Sequence, residues 1–196
     1  MEIERRSGIP AEIRANEEGV KVAGYAAVFN QVTDIGGYFR EVFLPGAFDK
    51  SMAKDDVSFL IGHDGLPLAR TRSGTLKLSS DSHGLKMETS LDSEDPDVAR
   101  IVPKMKRGDL DKMSIAFRAV KQSWDDTQDP PLRTVEEAIL YDVSIVTDPA
   151  YDGTEIGLRS LEKHRETARR ASNFHAARAR LGMRMNLALR ERENGK

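Results

Sequence analysis

Lys112-Met113-Ser114-Ile115-Ala116-Phe117-Arg118-Ala119-Val120 alternates in character along its length, with Met113, Ile115, Phe117 and Ala119 on one side and Ser114, Ala116, Arg118 and Val120 on the other. That period of two is the spacing of a β-strand. It places Ser114 near the start of a strand. Downstream, Asp125, Asp126, Asp129, Pro130 and Pro131 mark an exposed turn, and a second strand is expected from Arg133 to Val146, closed by Thr147-Asp148-Pro149-Ala150. Upstream, Asp95-Pro96 opens a helix, because Asp caps orphan amides and Pro fits the first turn. Its apolar face is Val98, Ile101, Val102 and Met105. Pro103 should kink or shorten this helix, and Gly108 should end it.

The same reading extends to the N-terminal half. Val20, Val22, Gly24, Ala26 and Val28 alternate, and Phe39, Val42, Phe43 and Leu44 follow a Gly36-Gly37 turn, so residues 19–44 read as β. Residues 47–54 suit a short helix, with Phe48 and Met52 on one face. Val57-Ser58-Phe59-Leu60-Ile61 is a compact apolar strand that stops at Gly62-His63-Asp64-Gly65, which puts His63 at a strand end. Leu76-Lys77-Leu78 and Leu85-Lys86-Met87-Glu88-Thr89 form a hairpin around residues 79–84.

Beyond Gly157 the period becomes helical: Leu158, Leu161, Ala168, Ala171, Phe174, Ala177, Leu181, Met185 and Ala188 predict a long amphipathic helix, broken near Gly182. This tail is basic. Residues 159–196 hold eleven Lys and Arg against four Glu, a balance of +7, which leaves −9 for residues 1–158 out of the overall −2. The chain therefore divides into an expected domain at 1–157 and a basic helical tail at 158–196.

Composition narrows the chemistry. The chain has no cysteine, so disulfides, thiolate catalysis and cysteine-bound zinc are excluded. No closely spaced histidine pair offers a metal site, and no cofactor is expected. Met1 to Arg6 holds no apolar run of a secretory signal, and no stretch approaches the roughly 20 apolar residues of a membrane helix. Nucleic-acid binding by the tail is disfavoured, since Phe174 is its one aromatic and acids interrupt its basic residues.

Four histidines remain as candidate bases. His83 sits in a turn with Ser82 and Gly84, and His164 and His175 lie in the basic helix. His63 differs because it follows an apolar strand directly among small and polar neighbours that let a ligand approach. Serine is a weak nucleophile near neutral pH and needs such a base within hydrogen-bond reach, itself oriented by a third polar group.

Three blocks in order, Phe59-Leu60-Ile61-Gly62-His63-Asp64, Lys112-Met113-Ser114-Ile115-Ala116-Phe117 and Leu140-Tyr141-Asp142-Val143-Ser144-Ile145-Val146-Thr147-Asp148-Pro149-Ala150, resemble the prohead protease family of tailed double-stranded-DNA phages. Gly24 to Phe29, Glu41 to Phe48 and Gly84-Leu85 are similar to further parts of that pattern, although His83 stands where an acidic or polar residue is more usual. The resemblance spans about residues 3–155 and does not reach the tail.

The resemblance implies an α+β fold related to the herpesvirus assembly proteases: a small, mostly antiparallel β-barrel with surrounding helices, and His and Ser on neighbouring strands. It implies a serine endopeptidase that cleaves capsid and scaffold precursors, and itself, within the immature procapsid in the host cytoplasm. By matching positions, Ser114 is the nucleophile and His63 the general base. The family's third block carries glutamate where this chain has Asp142, one methylene shorter; Asp142 ranks first as the third member and Glu137 second. Asp64 reads as a local turn residue. Expected partners are the major capsid protein precursor and scaffold segments, with the tail as a means of recruitment to them; association with further copies of the chain is left open. The competing reading is an inactive capsid-assembly or scaffolding protein on the same fold.

Overall fold

The computed structural model describes residues 3–16, 19–147 and 154–194. The chain forms two units, Met1–Gly157 and Leu158–Lys196. Among the described residues, the first holds ten strands and two short helices: β1 (Glu4–Asn16), β2 (Gly19–Val28), β3 (Thr33–Ile35), β4 (Phe39–Phe43), α1 (Asp49–Lys54), β5 (Ser58–Ile61), β6 (Asp64–Arg70), β7 (Leu76–Ser80), β8 (Gly84–Leu91), α2 (Pro96–Arg107), β9 (Lys112–Asp125) and β10 (Leu132–Val146). The mixed α+β character is as expected.

The barrel is not. The strands run in the order β3-β4-β10-β9-β1-β2-β8-β7, with β5 paired to β10 and β6, and the two ends of this path do not pair with each other. Curvature comes instead from β1, which the sequence periodicity left unread. Its first half pairs with β9, from Glu4 opposite Phe117 to Pro10 opposite Lys112, and its second half pairs with β2, from Ala11 opposite Gly24 to Asn16 opposite Gly19. A bulge between Ser7 and Ile9 interrupts the first ladder, and an extra residue of this kind bends a strand and increases its twist. The sheet turns along β1 without closing.

β10 is the organising strand. On one side it is antiparallel to β9; on the other it is parallel to β4 through residues 132–135 and to β5 through residues 142–145. Between those two partners its backbone would be orphaned, which is costly for buried amides. The segment around α1 fills the gap: Ala138 N–H donates to the Ala47 carbonyl at 2.8 Å, and Leu140 N–H to the Ser51 hydroxyl at 2.9 Å. Hence the burial of Ser51, a polar residue.

Packed inside the sheet are Phe43, Phe48, Phe59, Leu85, Met87, Met113, Ile115, Phe117, Leu140 and Ile145. Phe43 lies 5.1 Å from Phe117 and 5.3 Å from Phe48 between ring centroids, aromatic contacts worth about 0.5–1.5 kcal/mol each beyond area burial. α2 starts as its sequence demands, with the Asp95 carboxylate accepting from Asp97 N–H, and ends on left-handed Gly108 (φ +82°). It does not stop at Pro103. Buried Met105 beyond the proline keeps the apolar stripe of Val98 and Ile101 in contact with the core, and that packing outweighs the hydrogen bond lost at the proline.

α3 (Thr154–Asn194), most of which makes up the second unit, continues through Gly182 rather than breaking there. A single exposed glycine costs a helix only about 1 kcal/mol relative to alanine. Phe174, Leu181 and Met183 are exposed. No helix among the described residues is long and apolar enough to cross a membrane. The strand end expected at residues 148–150 lies outside the described residues.

Candidate active site

β9 carries Ser114 between two partners: Ser7 of β1 on one side and Ser144 of β10 on the other. On the far side of β10, Ser144 is in register with Leu60 of β5. β5 then leads straight into His63. Ile61 pairs with Asp64 across the two-residue turn Gly62-His63, in which φ is +62° and +64°. Positive φ at both positions is the geometry of the hairpin turns whose twist matches their strands. Gly62 adopts it freely, whereas His63 does so at a cost on the order of 1 kcal/mol. Two hydrogen bonds hold the turn to β10: Gly62 N–H to the Ile145 carbonyl at 3.0 Å and His63 N–H to Ser144 Oγ at 3.1 Å.

The strand that leads into His63 and the strand that carries Ser114 are thus not the neighbours that the family resemblance implied; they flank β10. The side chains nevertheless meet across it. His63 Nε2 lies 2.6 Å from Ser114 Oγ, and His63 Nδ1 lies 2.6 Å from Asp142 Oδ1. A carboxylate only accepts, so the proton of a neutral imidazole sits on Nδ1, leaving Nε2 free to receive one. Ser114 Oγ has a second acceptor in reach, the Arg6 carbonyl at 3.0 Å. Ser114 is completely buried, and the His63 side chain is 3% exposed.

Glu137 is elsewhere. Three irregularities in the β9–β10 ladder, between Val135 and Glu137, Glu137 and Ala138, and Leu140 and Asp142, break the simple alternation of faces, and Glu137 pairs with Lys50 at 2.5 Å. Glu136 pairs with Lys121. Asp64 accepts from Gly65 N–H at 2.8 Å, as a turn residue does. His83 packs edge-on against Tyr25, with ring centroids 4.4 Å apart, and His164 and His175 lie on α3. Among the described residues no group of three or more His, Asp or Glu side chains is placed to hold a metal ion.

Two contributions escaped sequence reasoning. One is Ser144, two residues after Asp142 and so on its face of the strand; its Oγ donates to Asp142 Oδ1 at 2.8 Å. The other is Arg6, whose carbonyl touches Ser114 and whose side chain enters a buried charge cluster. Its Nε donates to Glu41 at 2.6 Å and its Nη2 to Glu4 at 2.9 Å, while Arg133 bonds Glu4 at 2.5 and 2.8 Å and Glu41 at 2.8 Å. Two cations and two anions balance, as buried charges must. Burial alone would push the Glu4 carboxyl up, but the hydrogen bonds and charge of Arg133, with the charge of Arg6, hold it below the usual carboxylate range. For Arg133 desolvation is again outweighed, and Glu4 and Glu41 raise its pKa. The cluster ties β1 to β4 and β10 beside the candidate nucleophile.

No curated protein and no solved structure matches the chain. A family model does, that of the caudovirus prohead serine proteases, over residues 9–169 of 196, a span that includes His63, Ser114 and Asp142. With most of its length matched, this chain belongs to the caudovirus prohead serine protease family, a family of serine peptidases of phage capsid maturation.

Proposed function

We propose that the chain is a cofactor-independent serine endopeptidase in which Ser114 is the nucleophile, His63 the general base and Asp142 the residue that orients it. Its substrates are the major capsid protein precursor and scaffold segments, together with the protease itself, within the immature procapsid in the host cytoplasm. The observation that carries this reading is the continuous contact from Asp142 through His63 to Ser114, 2.6 Å at each step, built from three separated stretches of sequence.

In the forward step Ser114 Oγ attacks the scissile carbonyl carbon while its proton passes to His63 Nε2. Asp142 accepts the Nδ1 hydrogen bond and stabilises the imidazolium. Collapse of the tetrahedral intermediate breaks the C–N bond as His63 returns the proton to the leaving amine. Water then attacks the acyl-enzyme with His63 again as base, releasing the acid and restoring Ser114.

The complete burial of Ser114 favours the competing reading of an inactive assembly protein, and on the enzymatic reading it requires the site to open before substrate enters. Co-expression with the capsid precursor of the same phage separates the two. The enzyme shortens the precursor, and Ser114→Ala does not; equal precursor length with both chains points to an assembly role.

A further inference from the structure

We infer that Ser144 is a positioning residue of this reaction, fixing the base and its orienting carboxylate through one hydroxyl; the inference rests on the Ser114-His63-Asp142 reading. Ser144 is completely buried and sits on the rung of the sheet that runs from Ser7 through Ser114 and Ser144 to Leu60. Its hydroxyl has one hydrogen to give and lone pairs to receive. The hydrogen goes to Asp142 Oδ1 at 2.8 Å, because a carboxylate only accepts. The lone pair receives His63 N–H at 3.1 Å, because an amide only donates. The direction of both bonds is therefore fixed by chemistry. His63 Nδ1 lies 3.2 Å from the same oxygen, so its hydrogen, aimed at Asp142, passes close to the Ser144 hydroxyl.

Each bond answers a specific need. His63 occupies left-handed backbone at φ +64°, an arrangement that persists only where the surroundings hold it. The bond from its N–H to Ser144 is one such restraint, and it sets where the imidazole starts. Asp142 lacks one methylene relative to glutamate, so its oxygen must be aimed with little slack. The Ser144 hydrogen bond holds that oxygen on the line to Nδ1. A serine present only to fill space would give neither result: its removal would lower stability and leave the His63–Asp142 geometry unchanged.

The test uses the full chain with three substitutions, Ser144→Ala, Ser144→Thr and, as the blank, Ser114→Ala. Two quantities are read: the rate of covalent labelling by a fluorophosphonate, and the far-downfield proton resonance that a short Nδ1–H to carboxylate bond produces. Alanine is smaller than serine and fits without a clash. It should slow labelling roughly 10- to 100-fold, the worth of one hydrogen bond to a charged group, and shift or broaden the resonance in protein that remains folded. Threonine keeps the hydroxyl and should hold the rate within a few-fold of wild type with the resonance in place. A folded Ser144→Ala protein with wild-type labelling, or with its resonance unmoved, overturns the inference. Should Ser144→Ala not fold, Ser144→Thr decides: retention of rate and resonance supports the role, and loss of both in folded protein overturns it. If Ser114→Ala labels as fast as wild type, the catalytic reading itself fails, and the role of Ser144 with it.

Discussion

Asp142 Oδ1 lies 2.6 Å from His63 Nδ1, although the two residues are 79 positions apart in the chain. The contact exists because β5 lies parallel to β10 in a register that pairs Ser58 with Asp142 and Ile61 with Ile145, so the turn after β5 returns over the carboxylate. On this account Asp142→Asn, which cannot hold the Nδ1 proton in the same way, lowers turnover by about 10⁴-fold, as expected for the orienting member of such a triad. Glu137→Gln should leave turnover within a few-fold, since its partner Lys50 is on the surface and exposed pairs contribute about 1 kcal/mol or less. Cleavage of a capsid-precursor substrate by the two variants ranks them.

Burial of the nucleophile has a kinetic signature. With Ser114 wholly enclosed, labelling must wait for an opening step. Its rate should level off as fluorophosphonate concentration is raised, at a ceiling independent of probe size. A ceiling that changes with the size of the probe contradicts a rate set by opening of the site.

The charge cluster of Arg6, Arg133, Glu4 and Glu41 should contribute to acid stability. Folding lowers the Glu4 pKa, so its carboxylate contributes stability that is complete above the unfolded-state value and is lost as pH falls through the folded value. Unfolding by urea between pH 7 and pH 3 should show this acid loss in wild type and a flatter dependence in Glu4→Gln. The variant should also be less stable at neutral pH by about 3–5 kcal/mol, because it leaves Arg133 buried with one anion fewer.

Gly84 tests the β2–β8 ladder. A Cβ placed on it would stand 2.1 Å from the Ala27 carbonyl oxygen, which is backbone and cannot swing away. Gly84→Ala should therefore cost roughly 1–3 kcal/mol, the usual penalty for forcing atoms into a filled site. Thermal unfolding measures it, and an unchanged midpoint contradicts the Val28–Gly84 pairing.

Elements whose period is unambiguous were legible in the sequence. The strict alternation around Ser114 gave β9, and Asp95-Pro96 with Gly108 gave both ends of α2. What stayed hidden depends on partners distant in sequence. β1 was unread because Ile3, Ile9 and Ile13 are spaced by six and four among polar residues, and the strand is specified by β9 and β2 on its two flanks. β6 was missed for a related reason: Gly65 and Pro67 interrupt its strand pattern, while its ladder to β5 is held at Asp64 and at Ala69-Arg70. The pairing of Arg133 with Glu4 across 129 positions has no local signature. Within the site, His63 and Ser114 could be singled out by residue type and family pattern. Asp142 already ranked ahead of Glu137 on the family pattern, and the structure sets Asp142 against His63 while Glu137 pairs with Lys50. Ser144 lay in plain view two residues from Asp142, but serine on a strand carries no signal until its hydroxyl is seen between an amide and a carboxylate.

The central claim concerns one oxygen atom, Ser114 Oγ, and mass spectrometry after fluorophosphonate treatment of protein from maturing procapsids interrogates it directly. The account predicts a single adduct mapped to Ser114, absent in Ser114→Ala and formed orders of magnitude more slowly in His63→Ala. An unlabelled wild-type chain in such a sample, or an adduct on a different serine, would contradict it.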